Sequence, residues 1–187
     1  SEQVALFITH IATIRGMQGD YPTAVNLLEK ALTIQEQRLG ENHPEVGPCY
    51  TNLGSVLRHQ EKHEQALEYL EKGVNIIVKG KGENDKEVAA AYNNIAGVYS
   101  QKGEYAKAIE YFEKALRIRK HLFGEEHQSL AVTYNNMGQA YYFKGDYAKA
   151  LGLMEKALTI DLKLFGENHP EVATVYANIG EIYGIQG

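Results

Sequence analysis

Apolar residues recur along this chain at intervals of three and four, the spacing that lines one face of an α-helix. Between Glu87 and Lys102 they fall at Val88, Ala91, Tyr92, Ile95, Val98 and Tyr99. The pattern stops at Lys102-Gly103-Glu104-Tyr105, where glycine supplies the backbone freedom of a turn. It resumes from about Ala106 to Phe123, with Ala108, Ile109, Phe112, Ala115, Leu116 and Ile118 on one face. Gly124 then predicts an αL cap at the helix end. A helix A, a turn and a helix B make one unit.

The unit recurs every 42 residues with no slip of register. Gly19, Gly103, Gly145 and Gly187 keep the step, with Glu61 in the missing place. So do Ala24, Ala66, Ala108 and Ala150, and likewise Tyr50, Tyr92, Tyr134 and Tyr176. Asn52, Asn94, Asn136 and Asn178 form a further column. Small residues at Gly54, Ala96, Gly138 and Gly180 in helix A, and at Ala31, Gly73, Ala115 and Ala157 in helix B, predict close helix crossings. In the connection Gly40-Glu41-Asn42-His43-Pro44-Glu45, Pro44 is predicted at a helix start, where its missing N–H is harmless. Asp85 is the expected cap of the equivalent helix. Glu45, Glu87 and Glu171 are expected in first turns, where the helix dipole favours negative charge. The chain therefore reads as one all-α array over 1–187. Its repeats fall at about 4–45, 46–87, 88–129 and 130–171, with a final helix A at 172–187: about 4.5 repeats and nine helices.

These residues resemble the tetratricopeptide repeat family. Its pattern has a small residue and an aromatic in helix A, then Ala, a bulky apolar residue and Ala in helix B. The third unit supplies Ala96 and Tyr99, then Ala108, Phe112 and Ala115. Ala96 stands where the family usually has glycine, which the second and fourth units carry as Gly54 and Gly138. The usual period is about 34 residues. The longer form here, with Tyr-Asn-Asn-Ile-Ala at 92–96 and Ala-Leu-Arg-Ile-Arg at 115–119, resembles the kinesin light chain subfamily. The resemblance covers essentially the whole chain. It implies a right-handed superhelical solenoid of antiparallel helix pairs, with helix A lining a concave side that takes an extended peptide or a partner helix. The groove positions it carries over are Thr51, Asn52, Ser55, Arg58 and His59 in the second repeat. The third adds Asn93, Asn94, Gly97, Ser100 and Gln101, the fourth Asn135, Asn136, Gln139, Tyr142 and Phe143, and the last Asn178 and Glu181. An array normally ends in a polar capping helix. The last helix still carries Val172, Ile179, Ile182 and Tyr183, so the sequence reads as a piece of a longer protein. The subsidiary mark of a kinesin light chain, a heptad coiled coil before its repeats, is not visible within these 187 residues.

The Asn column admits two readings. Each amide offers a donor and an acceptor, so a ladder of them can pair with an extended backbone without choosing its sequence. Equally, each Asn can tie neighbouring helices together. Tyr142 and Phe143 adjoin the core aromatic Tyr141, and three consecutive aromatics cannot share one buried stripe. At least one should face the groove, where it can anchor a ligand side chain. Arg58 is the single Lys or Arg among the carried-over groove positions. A carboxylate clamp, as in the chaperone-binding members, and the acidic peptides that kinesin light chains take, therefore fit poorly. A polar, mildly apolar segment is the expected ligand.

Charge and composition narrow the picture further. With 19 basic and 24 acidic residues the net charge is -5, which argues against nucleic acid and against a polybasic membrane footprint. No apolar run approaches the ~18 residues of a membrane span. The start Ser1-Glu2-Gln3 lacks the basic region of a signal peptide. One cysteine and no N-x-[ST] sequon favour a cytoplasmic location. Cys49 reads as a small buried residue. His43, His127 and His169 share one loop position, but a full repeat separates neighbours, too far for one ion. His59 and His63 are split by the turn. No metal or other cofactor is expected, and no catalytic motif appears. The predicted function is a protein-interaction scaffold or adaptor with a protein or peptide ligand. The alternative is an architectural spacer or self-assembly segment of a larger protein, associating through open array ends.

Overall fold

The computed structural model describes residues 2–186; Gly187, the last of the turn-glycine column, and Ser1 lie outside the described residues. Among these, nine α-helices follow one another and no strand occurs. Helix α1 (Glu2–Met17) packs on α2 (Tyr21–Leu39), α3 (Gly47–His59) on α4 (His63–Lys81), α5 (Lys86–Gln101) on α6 (Tyr105–Phe123), and α7 (Gln128–Phe143) on α8 (Tyr147–Phe165). Helix α9 (Pro170–Gln186) ends the series as an A helix. Successive A helices also touch, α3 with α5, α5 with α7 and α7 with α9. No two successive B helices make a comparable contact among the described residues. The stack therefore bends so that the A helices form its inner, concave wall.

The turns explain the pairing. In the third pair the Gly103 N–H reaches the Ser100 carbonyl at 3.0 Å and the Glu104 N–H reaches the Tyr99 carbonyl at 2.9 Å. These two bonds satisfy carbonyls that a helix end leaves open. The turn residue needs a positive φ, 75° at Gly103, and Glu61 adopts 59° in the equivalent place. A side chain is strained there. Glu61→Gly is expected to stabilise the chain by roughly 0.5–1 kcal/mol, the relief of that strain less the added freedom of the unfolded glycine. A thermal midpoint unchanged by the substitution would show that the position carries no strain.

Two expectations are corrected here. Gly124 does not take the αL cap conformation: its φ is 75° but its ψ is -166°. This region is open essentially to glycine alone. The chain must leave the helix extended to cross to the next pair, whereas an αL cap would fold it back. Pro44 and Glu45 precede α3 rather than open it, because Pro48 has no N–H to bond the Pro44 carbonyl and the ladder cannot run back that far. Pro44 instead packs on α4 at Gly80, where a Cβ would come within 1.9 Å of the proline ring. Pro170 does begin α9. Asp85 caps α5, accepting the Glu87 N–H at 2.7 Å. His127 and His169 do the same work through Nδ1, and His43 makes the equivalent bond within the turn ahead of α3. His127 accepts from the Ser129 N–H at 3.1 Å, and His43 and His169 accept from Glu45 and Glu171 at 3.3 Å.

The core falls into three clusters. One runs through the first three pairs, from Ala12 to Val98 with Ile118. Another, from Leu130 to Ile182, holds the last pair and α9. Between them Ala96, Ala108, Ile109, Phe112, Met137 and Ala140 form the link. One helix-B column changes chemistry at every joint: Gln35, Ile77, Arg119, Asp161. Ile77 is buried in the first cluster. Arg119 reaches across to α7, donating to the Ser129 carbonyl at 2.8 Å and to the Thr133 hydroxyl. Asp161 is buried, and its desolvation, with Glu171 nearby, pushes its carboxyl above the usual range.

Candidate functional site

Two cavities line the concave wall. The first, about 370 Å³, opens between α3, α5 and α7, and the second, about 390 Å³, between α1, α2 and α3. Arg58 and His59, consecutive at the end of α3, stand between them: Arg58 lines the first and His59 the second. The Arg58 Nη2 donates to His59 Nε2 at 3.1 Å. Burial and the adjacent guanidinium hold the His59 pKa below its ordinary value, which keeps the imidazole an acceptor. Tyr21 stacks on the other side of His59 at 5.4 Å.

The charged group of Arg58 is the unusual element of the site. It rests on Gly97, where a Cβ would lie 3.2 Å from Nη1, so the glycine makes room for it. Its Nε is buried with no hydrogen-bond partner, and no carboxylate pairs with it among the described residues. Burial lowers its pKa from the ordinary value, because desolvation outweighs the favourable influence of nearby Tyr21. The Ser100 hydroxyl, in the same cavity, is likewise buried and unpartnered.

The remaining walls divide into amide and aromatic. Asn93, Gln101, Asn136 and Gln139 offer amides to the first cavity. Phe112, Ala140, Tyr105 and Phe143 give it an apolar side. Phe143 is 62% exposed and stacks on Tyr105 at 5.6 Å. Tyr142 turns away to the last helix and donates to Glu181 Oε1 at 2.8 Å.

Of the residues singled out from the sequence, Arg58, Asn93, Gln101, Asn136, Gln139 and Phe143 thus meet in one cavity. Asn52 lines the other. Asn94 lines neither. Asn178 donates through Nδ2 to Asn135 Oδ1 at 2.9 Å, tying α9 to α7. Asn93 also accepts from Arg119, at 3.5 Å. Sequence reasoning missed Tyr21 and Tyr105, which looked like core by their column. The signal was there at a different spacing: Tyr21 to His59 and Tyr105 to Phe143 are both 38 residues apart, turn of one repeat to helix end of the next.

Cys49 offers no nucleophile. It is 3% exposed, its thiol points to the Leu28 carbonyl at 3.6 Å, and burial with Glu36 nearby pushes its pKa up to about 12. Among the described residues no helix is long and apolar enough to cross a membrane.

The sequence model of the tetratricopeptide repeat family matches residues 3–77, 87–163 and 141–187. No curated protein matches the sequence. Among solved structures, BtubC (BKLC) from P. vanneervenii is 28% identical, with a TM-score of 0.83 over 96% of this chain and 72% of that one. A putative kinesin light chain with nearly identical TPR-like repeats, from Podosopora anserina, is 23% identical, with a TM-score of 0.80 over 100% of this chain and 89% of that one. A Rap protein complexed with Competence and Sporulation Factor has the same fold at 20% identity, with a TM-score of 0.82. The match covers 98% of this chain and 49% of the Rap protein.

Proposed function

Since the chain belongs to the tetratricopeptide repeat family, we propose that it is a protein-interaction scaffold that binds an extended peptide or partner helix along its concave wall. The ligand places one carboxylate on Arg58 and an apolar side chain against Phe112 and Phe143. The observation that carries this reading is a guanidinium with no carboxylate partner among the described residues and an unsatisfied Nε, in a cavity rich in amide groups. A partly buried cation without a counter-charge is unfavourable, and an incoming carboxylate relieves it. The reading departs from the charge-poor ligand expected from the count of groove cations. One cation suffices when the protein itself leaves it unsatisfied. The Rap protein of the same fold, solved with Competence and Sporulation Factor, lends support to a ligand-binding role.

The test is selection from a random peptide library on the purified chain, followed by titration of the enriched peptides against Arg58→Met. That variant keeps the stem and removes the charge. Enriched peptides should share an acidic residue beside an apolar one, and Arg58→Met should weaken them at least ~10-fold, about 1.4 kcal/mol, with an unchanged melting midpoint. Acid-free peptides that bind Arg58→Met equally well would overturn the proposal.

A further inference from the structure

Neighbouring A helices face each other across two columns: Gly16, Arg58, Ser100 and Tyr142 on one helix, and Ser55, Gly97, Gln139 and Glu181, 39 residues on, on the next. A long side chain in the first column crosses the gap. Arg58 lies on Gly97, where a Cβ would come 3.2 Å from Nη1, and Tyr142 donates to Glu181 Oε1 at 2.8 Å. A short one leaves the gap open. Gly16 and Ser55 line the second cavity, and Ser100 and Gln139 the first. Short and long alternate along the column, so the two cavities stand two repeats apart and Arg58 bridges the joint between them.

The two cavities are one place in the fold, repeated. Tyr21, Leu28, Asn52, Val56 and His59 of the second stand 84 residues before Tyr105, Phe112, Asn136, Ala140 and Phe143 of the first. Each has a stacked pair of rings in its wall, Tyr21 on His59 at 5.4 Å and Tyr105 on Phe143 at 5.6 Å. Each has a buried apolar side chain, Leu28 or Phe112, and an asparagine amide at the same positions. The first has repeats on either side of it, so an opening at this place belongs to the interior of the array. Between the two stands the Arg58 guanidinium, which no carboxylate pairs with among the described residues.

Building on the groove reading proposed above, we infer that the ligand is an extended peptide with two apolar anchors, one in each cavity, on either side of the acidic residue that meets Arg58. Packed helices stand about 8–10 Å apart, so two repeats separate the anchors by about 16–20 Å. At about 3.3 Å per residue that is about five or six residues of extended chain, with the acid near the middle. The Asn52 and Asn136 amides supply donors and acceptors for backbone groups that an extended chain leaves free and a helix spends on itself. Gly16 and Ser100 are then specificity positions: being small, they admit the anchors that a side chain such as Tyr142 shuts out.

The test uses the 187-residue chain and the acidic peptides that library selection enriches. These should carry two apolar residues about five or six apart with the acid between them. Gly16→Tyr puts into the second cavity the ring that Tyr142 puts into its own joint. A Cβ at Gly16 would meet only Val56 Cγ2, at 3.9 Å, so the melting midpoint should not fall. The variant should weaken the peptides at least ~10-fold. Replacing one anchor by alanine should cost the wild type a similar factor and cost Gly16→Tyr nothing further, whereas replacing the other should weaken both proteins alike. Enriched peptides with a single apolar residue overturn the inference, as do anchors about eleven to thirteen residues apart, the spacing of a helix over the same distance. Peptides that lose affinity for Arg58→Met yet bind Gly16→Tyr as tightly as wild type also overturn it and leave the groove reading standing. Peptides indifferent to both variants overturn the two together.

Discussion

Phe112→Ala should lower the stability of the chain by about 3–5 kcal/mol, the range for a large aromatic removed from a packed interior. Phe112 is 2% exposed and is the largest side chain in the cluster that links the two flanking cores. At a few degrees per kcal/mol for a chain of this size, the thermal midpoint should fall by roughly 10 °C. The position matters beyond the amount. Stability in a repeat array is close to a sum of units and nearest-neighbour joints, so weakening a middle joint uncouples the ends. The melt of Phe112→Ala should therefore broaden or split. Phe112→Leu, which restores the residue found at Leu28 and Leu70, should lose much less, roughly 1 kcal/mol. A single sharp transition at the wild-type midpoint for Phe112→Ala would refute the linking role of this cluster.

One column gives two glycine-to-alanine substitutions of opposite sign. In Gly54→Ala the new Cβ would lie 2.6 Å from Leu70 Cγ and 2.9 Å from the Ala66 carbonyl oxygen. The backbone atom cannot swing aside, so α3 and α4 must separate. This should outweigh the gain in helix propensity and cost about 1–3 kcal/mol in all. Gly180→Ala adds a Cβ to empty space. It should stabilise α9 by roughly 0.5–1 kcal/mol, visible as slower amide exchange within that helix. Equal stabilisation by both changes would mean that α3 and α4 do not cross at this glycine.

The architecture was legible in the sequence because every structural requirement is written four times. Apolar spacing gave α5 and α6 to within a residue at each end, and the turn column gave their pairing. What failed was detail that residue type leaves open. Glycine at 124 announces a positive φ, but its ψ depends on where the next pair lies. Pro44 looked like a helix start until Pro48 was counted against the hydrogen-bond ladder. The candidate site could be read from the sequence as a stretch of surface, since eight of the seventeen carried-over positions line one cavity. Its chemistry could not. The sequence shows that Arg58 is a lone groove cation; only the packing shows that Gly97 seats it and that no acid reaches it. The two readings of the Asn column likewise separate only by where the amides turn. Asn178 is spent on Asn135, while Asn136 faces the cavity.

An array of near-copies faces a hazard during folding, because any helix B is nearly complementary to any helix A and the wrong neighbours can join. The column Gln35, Ile77, Arg119, Asp161 answers it. Arg119 finds its shorter acceptors on α7, at the Ser129 carbonyl and the Thr133 hydroxyl, with Asn93 of α5 a third at 3.5 Å. The residues equivalent to Thr133 are Cys49, Ala91 and Val175, and none could accept from a guanidinium as the threonine hydroxyl does. Asp161 set in the place of Arg119 would turn a carboxylate toward a carbonyl oxygen. Two of the four joints thus carry charges of opposite sign, and a helix B set on the wrong helix A would lose the bonds or surroundings that its own joint supplies.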